Sequence, residues 1–144
     1  MNRFVRPDEV TIPLTHGDTI TIRRELTHGE TMAGYRQAYL KQPDGTYVRD
    51  PLATGMALVT AYLIDWTFKG DGDRVVPIKG LSLPELIDTL NAIDNAAFVE
   101  VLDAIQAHEA QLAREKQRPE ALPPSDPTST SRVGAAGGTT GSAT

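Results

Sequence analysis

Two pairs of carboxylates and three histidines are the side chains in this sequence best suited to chemistry. The pairs are Asp71 with Asp73 and Asp88 with Asp94; the histidines are His16, His28 and His108. Paired acids do general acid–base work when a cleft drives their pKa values apart. Here they fall on turn-forming stretches, helix caps or the outward faces of expected helices, and nothing in the sequence places them in a cleft. No two histidines have the HxxxH spacing that sets two imidazoles on one helical face for a metal, so all three read as surface residues. The stretch "GDGDR" at 70–74 offers oxygen ligands, but a calcium loop needs a ligand at its fifth position, a glycine at its sixth and a glutamate at its twelfth. Counting from Asp71, those positions hold Val75, Val76 and Ser82. The stretch is a Gly-Asp turn.

The remaining signatures also fail. "GDGDRVVPIKG" has glycines without the spacing of a phosphate-cradling loop, and no GxSxG turn presents a nucleophilic serine. "REKQR" at 114–118 is a short, solvated charged end. No catalytic, cofactor-binding or metal-binding residue is assigned, partner-binding residues are not fixed, and the chain is expected not to be an enzyme.

Composition narrows the partners. The 144 residues carry 14 Lys and Arg against 19 Asp and Glu, a net charge of −5. The pI is about 5.1, which argues against a protein held to nucleic acid by phosphate neutralisation. The absence of cysteine excludes disulfides and thiolate sites and fits a reducing compartment. "MNRFVRPDEV" has no apolar stretch behind its charge, so no secretory leader is expected. The longest apolar run, 51–64, is bracketed by Asp50 and Asp65 and falls short of the about 20 residues that span a bilayer. These features predict a soluble cytoplasmic chain.

The elements that must position any site follow from periodicity and turn chemistry. Val10, Ile12 and Leu14 alternate, as do Ile20 and Ile22, with "HGD" at 16–18 between them, so 9–15 and 19–25 form an expected β-hairpin. Pro13 cannot donate a ladder hydrogen bond and places its strand at an edge. Thr27 and Glu30 fit a capping box, with Thr31 as an alternative cap, opening a helix over 29–41 with Met32, Tyr35 and Tyr39 on one face and "QPDGTY" as its stop. Asp50 caps a second helix with Pro51 at its first position. Leu52, Met56, Val59, Leu63 and Trp66 keep helical spacing through it, so it is expected to be the buried central helix. A loop follows, with a short extended piece over 74–78. "SLPE" at 82–85 caps a third helix with a stripe of Leu83, Leu86, Ile87, Leu90 and Ile93. Asp94 caps the last, 95–117, with Phe98, Val101, Leu102 and Ile105 inward.

The fold class is therefore α+β: a mainly helical small domain of about four helices with an N-terminal β-hairpin. It occupies residues 1–118. Residues 119–144 are rich in Pro, Gly, Ser and Thr, lack the apolar surface to offset ordering entropy, and are expected to be a disordered tail.

Taken in order, the β-rich start, "LTHGETMAGYRQAYLK", "LIDWTFKGDGDRVVPI" at 63–78, "LNAIDNAAFVEVLDAIQAHE" at 90–109 and the low-complexity end resemble the small tail assembly chaperones of long-tailed bacteriophages and related prophages. The resemblance covers about residues 8–118 and is one of sequence character, with no catalytic signature in it. It implies a non-enzymatic helper of virion morphogenesis in the bacterial host cytoplasm. Its partners would be the helix-rich tape measure protein and tail tube subunits, with self-association allowed, and with neither nucleic acid nor membrane. It also implies that this chain is the short form of a product extended by ribosomal frameshifting. Such a role calls for exposed apolar patches on a small soluble scaffold. Two helices are candidates, 29–41 through Tyr35 and Tyr39, and 95–117 through Phe98 and Ile105, although the plain expectation for both is core packing. The alternative is a structural virion protein of the head–tail connector or tail completion type.

Overall fold

The computed structural model of the chain describes residues 3–117; the tail expected at 119–144 lies outside the described residues. Met1–Leu112 form one compact unit, and of the second, Ala113–Thr144, only 113–117 are described.

The chain begins with the expected hairpin. Strand β1 (Glu9–Pro13) pairs antiparallel with β2 (Thr19–Arg23), with Val10 opposite Ile22 and Ile12 opposite Ile20. A 3-10 turn at Thr15–Gly17 joins them, with His16 and Gly17 at positive φ. β1 is an edge strand, which accommodates Pro13. Ile20 and Ile22 are fully buried, so the inward face of β2 is the floor of the core.

Helix α1 (His28–Ala38) opens with the capping box in place: Glu30 N donates to Thr27 Oγ1 at 3.1 Å and Thr27 N to Glu30 Oε1 at 2.8 Å. It stops three residues short of the expected end. Tyr39–Lys41 is strand β3, paired with β4 (Tyr47–Arg49) in a two-stranded sheet of its own. The turn chemistry explains the change. Gly45 takes φ 90°, and Asp44 Oδ1 accepts from the backbone and hydroxyl of Thr46 at 2.9 and 2.6 Å. That tight turn, flanked by Tyr-Leu and Tyr-Val, closes a hairpin instead of merely ending a helix.

Helix α2 (Pro51–Tyr62) is capped by Asp50, whose carboxylate accepts from Leu52 N at 3.1 Å. It too ends earlier than its spacing suggests. Leu63–Trp66 is strand β5, antiparallel to β2 and completing the sheet order β1-β2-β5. Ile22 stands opposite Leu63 and Ile20 opposite Trp66, so a bulge adds one residue to β5. The bulge turns both Leu63 and Trp66 inward, at a spacing that mimics a helix. Leu52, assigned to the buried face by that spacing, is 86% exposed.

After β5 the expected extended piece shrinks to one bridge, Lys69 with Val75, around a 3-10 turn at Asp71–Asp73. Helix α3 (Leu83–Ala92) carries its capping box, and the hydrogen bonds from Ser82 hold the Glu85 carboxyl below the usual carboxylate range. Leu86 and Leu90 face the core, while Leu83 is 44% exposed. Helix α4 (Asn95–Gln117) buries Val101 and Ile105 completely, with Phe98 and Leu102 packed beside them. α2 and α4 approach closely at Gly55, where a Cβ would come within 3.3 Å of Leu102 Cδ2. The described residues form the α+β arrangement expected: four helices among them, with a β-hairpin inside the N-terminal sheet.

Candidate functional site

The carboxylates singled out by the sequence divide between caps and open surface. Asp94 Oδ1 accepts from Ala97 N at 2.9 Å as the cap of α4. Asp71, Asp73 and Asp88 are exposed, and Asp73 Oδ1 lies 3.6 Å from Lys69 Nζ. A cleft of about 630 Å³ brings Asp71 and Asp94 near Asp18, His16 and Glu100. Three of its four acids, Asp18, Asp94 and Glu100, are committed to the fold. Glu100 accepts from Thr15 N and Thr15 Oγ1 at 2.8 and 3.0 Å, and Asp18 accepts from Thr67 Oγ1 at 3.2 Å. Among the described residues, no group of three or more His, Asp or Glu is placed to hold a metal ion.

The histidines do not converge. His16 and His28 are exposed, as expected. His108 differs: it is half-buried, its Nε2 lies 2.7 Å from the Arg24 carbonyl, and its ring meets Tyr62 edge-on at 6.3 Å. A carbonyl only accepts, so the Nε2–H donates, and this imidazole is a strut between α4 and the end of β2.

Tyr62 stands at the base of a second groove, of about 670 Å³, between α1, α2 and α4. Small and apolar side chains make its floor: Ala38, Ala57, Leu58 and Ala61. Tyr35 and Tyr39 rise on one wall, and Glu25, Glu30, Glu109 and Arg49 supply charge. Tyr62 is 97% buried by its 3% exposure, and its hydroxyl donates to Glu109 Oε2 at 3.2 Å. Burial, with the Glu109 carboxylate beside it, pushes the phenol well above the ordinary tyrosine range. Arg23 Nε bridges to Glu30 Oε2 at 2.9 Å. A groove with an apolar floor, aromatic walls and a mainly acidic margin is shaped to take an amphipathic segment.

The two helices named from the sequence part company here. Ile105 is in the core and Phe98 packs against it, so that face of α4 is spoken for. The expectation of core packing fails for the 29–41 segment: Tyr35, on α1, is 56% exposed and Tyr39, on β3, 43%. Seven of the eleven exposed large hydrophobic side chains among the described residues lie between Met32 and Leu52. Leu40, Tyr47 and Val48 belong to this set and were not read as surface candidates. The signal for them was the Asp44-Gly45 turn between two β-prone stretches.

No known protein-family profile, curated protein or solved structure matches this chain. Among the described residues, no helix is long and apolar enough to cross a membrane.

Proposed function

We propose that this chain is a non-enzymatic tail assembly chaperone of a long-tailed phage or prophage. It would hold a segment of the tape measure protein in the host cytoplasm until tail tube subunits enclose it. The observation that supports this reading is the concentration of exposed apolar side chains on α1, the β3–β4 hairpin and the start of α2, of which Tyr35 and Tyr39 line the groove above Tyr62. A small chain that leaves Tyr35, Tyr39, Tyr47, Val48 and Leu52 in water while burying a complete core beneath them has surface to spare for a partner. Tyrosine suits the task because its ring buries area and its hydroxyl keeps the free surface wettable. The resemblance over residues 8–118 supplies the identity of the partner.

Co-expression tests it. The intact chain should keep the neighbouring tape measure protein soluble in a copurifying complex, and Tyr35→Ser with Tyr39→Ser should abolish copurification while the chain stays folded. An insoluble or unbound tape measure protein in the presence of the intact chain overturns the reading. So does finding the chain in stoichiometric amount in purified virions by mass spectrometry, which returns it to the connector or completion class.

A further inference from the structure

The β3–β4 hairpin is the least supported element of the fold. It is a sheet of only two strands, and all six of its strand residues are exposed. A lone two-stranded hairpin is marginal in water, and open edges invite another strand. Its hydrogen-bond pattern identifies which groups are on offer. Gln42 N donates to Thr46 O at 2.7 Å and Asp50 N to Ala38 O at 2.8 Å. Bonded and non-bonded pairs alternate in an antiparallel ladder. Leu40 and Val48 are therefore a bonded pair facing inward, and the backbone groups of Tyr47 and Arg49 point away from β3.

That edge is complementary to itself. Placing a second β4 antiparallel beside the first, with a twofold axis at Val48, sets Tyr47 of each copy opposite Arg49 of the other. The register already in the hairpin puts Tyr39 opposite Arg49 and Lys41 opposite Tyr47. Each cross-strand row of the four-stranded sheet then alternates aromatic and cation: Tyr39, Arg49, Tyr47, Lys41. No two like charges are opposed, and every cation stands beside a ring within cation–π reach. The other face becomes an unbroken aliphatic row of Leu40, Val48, Val48 and Leu40. Twofold pairing of this kind closes on itself, so the assembly stops at two copies. Strand β3 has the same alternation but is the less open edge: Tyr39 is 43% and Leu40 49% exposed, against 64% for Tyr47 and 52% for Val48.

We infer that two copies of this chain associate through antiparallel pairing of their β4 strands, Val48 against Val48, into a continuous four-stranded sheet. The inference does not rest on the chaperone reading, although Tyr47 and Val48 figure in both, because it is argued from the backbone edge and register of the hairpin.

The chain has no cysteine, so a single introduced thiol reports one position. Val48→Cys sets two sulfurs at a non-hydrogen-bonded pair, where Cα atoms lie about 4.5 Å apart, within disulfide reach. Mild oxidation should convert the full-length Val48→Cys chain to a covalent dimer and leave Leu40→Cys monomeric. Sedimentation equilibrium of the cysteine-free chain should show a reversible dimer. Val48→Lys, which opposes two ammonium groups at the axis, should raise its dissociation constant by about tenfold or more with an unchanged circular dichroism spectrum. A strictly monomeric chain, equal crosslinking of Leu40→Cys, or dimerisation indifferent to Val48→Lys overturns the inference.

Discussion

The hydroxyl of Tyr62 belongs to a buried side chain lining the proposed binding groove, and its protonation state is coupled to the fold. Its raised pKa comes first from burial and then from the Glu109 carboxylate that accepts its hydrogen bond. The neutral phenol is thus favoured more in the folded chain than in the unfolded one. That contribution is fully present below the unfolded value of about 10 and is lost as pH rises above it. Urea titrations across the alkaline range should therefore show stability falling above about pH 10, with a shallower fall in Tyr62→Phe. At neutral pH, Tyr62→Phe should cost about 1 kcal/mol, the net worth of one buried hydrogen bond. An alkaline limb unchanged by the substitution would show that the phenol is not the group responsible.

At the scale of elements, the instructive case is the passage from α2 into β5. Leu63 and Trp66 keep helical spacing with Val59, and the sequence alone reads them as the end of one long helix. The bulge opposite Ile22 places the same two side chains inward from a strand. Periodicity cannot separate these outcomes, because an extra residue in a strand converts its period of two into a step of three. The capped starts at Thr27, Asp50 and Ser82 were legible because each cap is a local bond between neighbours, and all three are formed. The ends of α1 and α2 were not, because β3 and β5 are defined by partners elsewhere in the chain. The groove suffered likewise, since its walls come from three helices. The strand reading makes a measurable claim. Trp66 is 4% exposed, stacks on Phe68 at 4.8 Å and donates Nε1–H to the Val76 carbonyl at 2.7 Å. Trp66→Ala should cost about 3–5 kcal/mol in chemical denaturation. Leu52→Ala, at a position the helical spacing would bury, should stay within about 0.5 kcal/mol. Equal losses would restore Leu52 to the core.

Across the whole compact unit, apolar side chains follow two different rules. One set, from Ile20 and Ile22 through Val59 to Val101 and Ile105, is completely withdrawn from water and, with Leu86 and Leu90 of α3 packed beside it, ties the three-stranded sheet to α2, α3 and α4. The other, from Met32 to Leu52, stays exposed on α1, the second sheet and the start of α2. Local opening energies follow burial and contact density, so the two regions should unfold on different scales. Amide hydrogen exchange should find β2 protected close to the global stability, since it is the middle strand of its sheet and both its isoleucines are buried. In dilute solution β3 and β4 should exchange far faster, through fraying of an unsupported hairpin. Raising the protein concentration should then slow exchange selectively at Tyr47 and Arg49, whose N–H groups face the edge, while β2 is unmoved. Protection that rises evenly along both hairpin strands would point to an occupant lying across the sheet face instead of a strand added at its edge.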